Sequence, residues 1–160
     1  MEKILISSCF LGNKVRYDGG DNLIENETIE RWRRENRLVV ICPELAGGLS
    51  IPRAPAEIQI SDTSIAVKTI VGEDVTAAFE GGAQQALQLC ERYNIRYALL
   101  KESSPSCGSS TVYNGEFNQQ KIPGQGITTA ILRANGVKVY SEKNLSVLIN
   151  EFRSFELAQY

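Results

Sequence analysis

Apolar residues in this chain fall into short runs separated by stretches with helical spacing. The runs at Lys3–Ser7, Leu38–Ile41, Arg96–Leu100 and Val137–Tyr140 read as strands. Leu38–Ile41 and Arg96–Leu100 have the continuous apolarity of strands buried on both faces of a parallel sheet. Between the runs, Thr28–Asn36 (TIERWRREN), Thr76–Tyr93 and Thr128–Arg133 read as helices. Gly81-Gly82 weakens the second helix, and Asn135-Gly136 ends the third. Ser141 is a candidate N-cap for a last helix running to about Phe155. Glu57–Ile60 and Ile65–Ile70 flank Ser61-Asp62-Thr63-Ser64, a pattern that fits a small antiparallel hairpin. Three segments read as irregular: Gly12–Asn22, Ala46–Pro55 and an insertion at Ser109–Ile122 with a tight turn at Asn114-Gly115.

Strands alternating with helices imply right-handed βαβ crossovers. The expected fold is α/β: one domain over residues 1–160, with a mostly parallel sheet flanked by helices (Rossmann-like) and a small antiparallel hairpin. Linkers, repeats and low-complexity segments are absent from the sequence. The net charge is −2, and the longest basic run is Arg33-Arg34. That balance gives no strong sign of nucleic-acid binding, although it leaves room for a small anionic ligand. The opening MEKILISSCFLG lacks the features of a signal peptide, and no apolar stretch is long enough to span a membrane. The expected location is therefore the cytoplasm, where unpaired cysteines mean metal or redox chemistry more often than disulfides. The chain contains no histidine. Ser-His-Asp and Cys-His catalysis, and zinc sites that need histidine, are excluded within it.

Three of the four cysteines share one kind of position. Cys9 (ILISSCFLG), Cys42 (LVVICPELAGG) and Cys107 (ALLKESSPSCGSS) each follow a predicted strand, in a loop rich in Gly, Pro or Ser. Loops after parallel strands gather at one edge of the sheet, where ligands bind, so three distant thiols are expected to converge. Cys90 differs. It lies in the stripe Ala83, Ala86, Leu87, Cys90 and reads as a small core residue. Three thiols without histidine suit an iron–sulfur cluster with one iron lacking a protein thiolate, and three cysteines plus a carboxylate on zinc stay open. Glu44, beside Cys42, is a candidate acid–base group. Ser103, Ser104, Ser106, Lys101 and Glu102 crowd Cys107, with Ser104 and Glu102 read mainly as loop formers. Arg16 and Asp18 follow Cys9. Gly124-Gln125-Gly126 reads as a turn feeding a helix, with anion binding by its N–H groups as the alternative.

Ser8-Cys9-Phe10-Leu11-Gly12 with Arg16-Tyr17-Asp18-Gly19, Cys42-Pro43-Glu44 with Gly47-Gly48-Leu49 and Pro52-Arg53, and Leu100-Lys101 followed by SPSCG (Ser104 to Gly108) together resemble the DUF523 family. The stretches Gly124 to Leu132 and Gly136 to Glu142 extend the likeness over nearly the whole chain. The characterised members of that family are thiouracil desulfurases. The resemblance implies a [4Fe-4S] cluster on Cys9, Cys42 and Cys107 with one open iron site. It also implies an enzyme that takes sulfur from a small thiolated pyrimidine, 2-thiouracil or similar, by binding the substrate's sulfur at that iron. Glu44 and Ser103 match positions thought to assist catalysis. Asp18 falls in the family's YDG loop, and Asp18, Gly48 and Ser106 are expected to bind substrate. Phe10 and Ser50 depart from the family's usual Leu and Pro, which bears on substrate fit. The alternatives are a sulfur carrier or tRNA-thiolation accessory protein, and a non-catalytic zinc-binding module. Oligomeric state is not legible in the sequence.

Overall fold

The computed structural model describes residues 1–158. In chain order the elements are β1 (Ile4–Ser7), α1 (Glu27–Arg34), β2 (Leu38–Ile41), α2 (Pro43–Ala46), β3 (Ala56–Ile60), β4 (Ile65–Thr69), α3 (Thr76–Arg92), β5 (Tyr97–Leu99), β6 (Thr111–Tyr113), β7 (Lys121–Pro123), α4 (Ile127–Ala134), β8 (Lys138–Tyr140) and α5 (Leu145–Ala158). Strands β2-β1-β5-β8 form one sheet in that order, all parallel. Leaving β1, the chain moves outward to β2 and then returns to the other side of β1 as β5. The order therefore reverses between β1 and β5, and the crevice above their carboxyl ends is where such sheets bind ligands.

Alternation along β1 explains its unbroken apolarity. Ile4 and Ile6 pack on one face with Ile29 and Trp32 of α1 and Leu148 and Phe152 of α5. Leu5 packs on the other with Ala86 and Cys90 of α3 and Leu132 of α4. Side chains on both sides are covered, so each position is apolar. A fully buried Leu, Ile or Phe contributes about 1.5–3 kcal/mol, and the two faces together make the main core. Trp32 meets Phe152 edge-on, with ring centroids 5.4 Å apart. Cys90 is buried in the α3 face of this core, and burial pushes its thiol up to about 12.

Several sequence expectations need correction. The apolar run of β2 does not mark a strand buried on both faces. It is the sheet's edge, and Val40 is 42% exposed. Helix α1 begins one residue earlier than expected because Asn26 caps it, its side chain accepting from the N–H groups of Thr28 and Ile29. The insertion is not wholly irregular: β6 and β7 pair antiparallel, and a loop over 114–120 joins them in place of a tight turn at Asn114-Gly115. Ser141 caps a 3-10 turn (Glu142–Asn144) through a capping box, and that turn leads into α5.

Gly81-Gly82 does not interrupt α3, which runs unbroken from Thr76 to Arg92. A Cβ on Gly82 would overlap the carbonyl oxygen of Pro43, and one on Gly47 would overlap that of Ala78. The two glycines let α2 lie backbone to backbone against α3, which seats the Cys42–Glu44 corner. The β3–β4 hairpin adds a smaller core of Ile58 and Val67 with Val75, Phe79 and Val112. Among the described residues no helix is long and apolar enough to cross a membrane.

Candidate active site

Each of the three cysteines leaves its strand at the same edge. Cys9 lies in a 3-10 turn (Ser8–Leu11) directly after β1, Cys42 is the N-cap of α2 directly after β2, and Cys107 follows β5. All three line one cavity of about 590 Å³. Burial raises the Cys107 thiol most, and Glu44, Cys42 and Cys9 raise it further. Burial also raises Cys9 and Cys42. Asn22 and Lys101 pull Cys9 back down, and Arg53 does the same for Cys42. Mutually repelling, buried thiols give up their protons together only to a positively charged group that binds them. Among the described residues no three ligand side chains close around a single ion. A tetrahedral zinc, with bonds to sulfur of about 2.3 Å, needs its thiols within roughly 4 Å of one another. A soft, all-thiol donor set lining one cavity fits an iron–sulfur cluster.

The Cys107 loop is built around Glu102. This carboxylate is 5% exposed. It accepts from the backbone N–H groups of Ser103 (3.2 Å), Ser109 (2.9 Å), Ser110 (3.0 Å) and Thr111 (3.0 Å), and from the hydroxyls of Ser109 (2.7 Å) and Ser110 (3.0 Å). Burial opposes its charge, but these donors outweigh burial and hold the carboxyl well below the usual range. Ser104 Oγ accepts from the N–H groups of Ser106 and Cys107, which turns the chain at the ligand position. Ser103 has φ +68°, and its Oγ lies 2.9 Å from Thr111 Oγ1. The N-terminus of α4 then locks against the loop. Gly126, Ile127 and Thr128 donate to the carbonyls of Gly108, Pro105 and Ser106, and Thr129 Oγ1 donates to that of Cys107. The N–H groups after Gly124-Gln125-Gly126 are thus spent on the loop and not presented to an anion. Gly126 is required there because a Cβ would overlap Ser106.

Glu44 sits on α2 beside Cys42 in the cavity wall. Burial raises its carboxyl, partly offset by Arg53, whose Nε donates to Glu44 Oε1 at 3.3 Å. Arg53 also donates to the carbonyls of Val15 and Ser50 and so ties two irregular loops to the site. The cavity gathers Cys9, Cys42, Cys107, Glu44 and Ser103. Asp18, Gly48 and Ser106 are not in its lining. Asp18 is exposed and pairs with Arg16 at 3.2 Å, leaving Arg16 and Tyr17 to line the wall. Gly48 is exposed at φ +98° and serves the turn after α2. Ser106 is fully buried on Thr128. Phe10 is a core residue beside Ile29 and Trp32, and Ser50 donates to the Pro52 carbonyl at the surface, so neither lines the cavity.

Sequence reasoning missed Arg53, Asn22 and the wall contributed by the insertion, which includes Tyr113, Phe117, Gln119 and Lys121. Arg53 carried a signal, as a lone cation in a Gly/Pro loop next to Glu44. The insertion residues carried none.

A family model described as 2-thiouracil desulfurase matches residues 4–144. An uncharacterized protein of Bacillus subtilis (strain 168), YbbK, is 40% identical over 152 residues, which cover 91% of this chain and 99% of that protein. Among solved structures, the [4Fe-4S]-dependent thiouracil desulfidase TudS (DUF523Vcz) is 46% identical. It superposes with a TM-score of 0.91 over 96% of this chain and 99% of its own. Its fold is the α/β arrangement described above.

Proposed function

The chain belongs to the 2-thiouracil desulfurase family and is a desulfurase, and on that premise we propose that it hydrolyses the thiocarbonyl of 2-thiouracil or a closely related thiolated pyrimidine. Water replaces sulfur at carbon, so the products are the oxo base and hydrogen sulfide, with no net change in oxidation state. One observation carries the reading: three thiols from three separate strand ends meet in a single cavity beside Glu44, a carboxylate whose proton affinity burial raises. The solved relative is [4Fe-4S]-dependent, and Cys9, Cys42 and Cys107 would hold the same cluster here. Three protein thiolates would leave one iron without a protein ligand, and the cluster would supply a Lewis acid for the thiocarbonyl sulfur.

The chain's own groups do the rest. Glu44 takes a proton from the attacking water. Its raised carboxyl makes it a stronger base than an exposed glutamate, and Arg53 keeps it oriented. Ser103, fixed against Thr111, orients that water or the ring. Lys101, which lines the cavity and pairs with Glu142 at 2.6 Å, places a positive charge near Cys9. The buried loop around Cys107 excludes bulk water from one side.

Oxygen-free purification, iron and sulfide analysis, and incubation with 2-thiouracil test the reading. The expected result is a brown protein with about four irons that releases uracil and sulfide in equal amounts. A protein that stays colourless after anaerobic reconstitution refutes the cluster. A brown protein that leaves 2-thiouracil untouched refutes the substrate.

A further inference from the structure

Among the described residues, five other than glycine have positive φ. Asn36 and Asn94 follow α1 and α3, where asparagine commonly ends a helix. The other three are Ser103 (+68°), Phe117 (+55°) and Gln119 (+64°), and all three line the cysteine cavity. Bulky residues keep this conformation only where the surrounding structure holds them to it, and such places cluster at ligand sites. Phe117 and Gln119 lie in the loop over 114–120. Two of the restraints on that loop come from the β3–β4 hairpin. Glu57, 8% exposed, accepts from the N–H groups of Gly115 (2.8 Å) and Phe117 (3.2 Å), and the Gln59 side chain donates to the Gly115 carbonyl (2.6 Å). Asn114 and Asn118 side chains close the loop locally, accepting from the N–H groups of Glu116 and Gln120. Gln119 is exposed at the cavity wall, and its amide forms no hydrogen bond among the described residues.

Resting on the pyrimidine reading above, we infer that residues 113–121 form a recognition lip for the base. Phe117 covers the ring face. The Gln119 amide pairs with the ring edge next to the thiocarbonyl: its oxygen accepts from N3–H, and its NH2 donates to the C4 carbonyl. A primary amide carries one acceptor and two donors, which complements that edge. Glu57 is the positioning residue: it holds the loop backbone at Gly115 and Phe117, and through that backbone the lip, in the wall.

The test is calorimetric binding to cluster-loaded protein in a Glu44→Gln background, where turnover is slowed, with 2-thiouracil and 3-methyl-2-thiouracil as ligands. Gln119→Ala is expected to weaken 2-thiouracil about tenfold. Methylation of N3 is expected to cost the parent a similar factor and Gln119→Ala nothing further. Phe117→Ala should weaken both ligands equally. Glu57→Ala should reproduce the two losses together, and Glu57→Gln should bind like the parent because its carbonyl still accepts from the loop. The visible spectrum should stay unchanged throughout. Parent-like binding of both ligands by Gln119→Ala overturns the lip while leaving the desulfurase reading intact. A parent that binds no 2-thiouracil overturns 2-thiouracil as the substrate and the lip with it.

Discussion

Replacing Glu102 by Gln keeps the shape of the side chain and removes its charge. In the native loop one carboxylate answers four backbone N–H groups and three hydroxyls between Ser103 and Thr111, the Thr111 hydroxyl at 3.5 Å. Gln retains one carbonyl acceptor and turns an NH2 toward donors. A hydrogen bond to a charged group contributes about 1.5–3 kcal/mol, and breaking a buried network costs less than the sum of its members. A net loss of about 3 kcal/mol follows for Glu102→Gln at neutral pH. With a urea dependence of about 2 kcal/mol per molar, the unfolding midpoint falls by about 1.5 M. The sign of the pH dependence follows from the depressed carboxyl. A group held below its unfolded value stabilises the fold fully above about pH 4.3 and stops doing so as pH falls through its folded value. The gap between wild type and variant should therefore be full near pH 7, narrow progressively below about pH 4.3 and close only in strong acid. Urea titrations by far-UV circular dichroism at several pH values, with iron per chain measured in parallel, provide the assay. The same loop carries Cys107, so the variant should also hold less iron. Wild-type midpoint and full iron content in Glu102→Gln would refute the reasoning.

Glu44→Gln should lower kcat by about a hundredfold or more with the visible spectrum retained, and full activity would remove Glu44 from the base role. Because burial raises its carboxyl, the acid limb of the pH–rate profile should lie above the usual glutamate range, activity rising as Glu44 loses its proton; removing the opposing charge in Arg53→Gln should move that limb higher still. Ser in place of Cys9, Cys42 or Cys107 should abolish iron binding, whereas Cys90→Ala should keep it and cost only packing, as iron analysis would show. Gly82→Ala should be strongly destabilising because the added carbon meets the Pro43 carbonyl, and Gly81→Ala, which meets nothing within 4 Å, should stabilise by about 0.5–1 kcal/mol in thermal melts.

The convergence of the cysteines was legible because it depends on one rule about where loops after parallel strands lie, and strand ends are readable from apolar runs. Cys90 was legible from helical spacing alone. The misreadings share a different cause: each feature is set by a partner distant in sequence. An apolar run looks the same at the edge of a sheet as in its centre, so the exposure of Val40 could not be read from LVVI. Gly82 looked like a weakness in α3 because its reason, the backbone of Pro43, lies in another element. Asp18, Gly48 and Ser106 sit in motifs that resemble the family's and lie outside the cavity lining, because a motif fixes proximity along the chain and not which residues border the cavity; their contact with substrate is an expectation of the resemblance alone. Phe117 and Gln119 belong to a polar, irregular stretch whose placement depends on Glu57 in the distant β3 strand.

Three glutamates stand in or beside the cavity wall, and their surroundings divide the work among them. Glu102 adjoins Ser103 in sequence and would be the first choice for a base by proximity. Its lone pairs are occupied by donors that stabilise the anion, so it has little tendency to take a proton at neutral pH. Glu57 is occupied by two N–H groups of the 114–120 loop. Among the described residues Glu44 has a single partner, Arg53, at 3.3 Å, and burial outweighs that partner and raises its carboxyl. Groups of one chemical type acquire different roles when their environments push their proton affinities apart. Two of these carboxylates hold loops through backbone N–H groups, and the base role proposed above falls to the third, whose proton affinity burial raises. The fold places that third one on α2, the short helix seated on α3 by Gly47 and Gly82, in the same turn as Cys42.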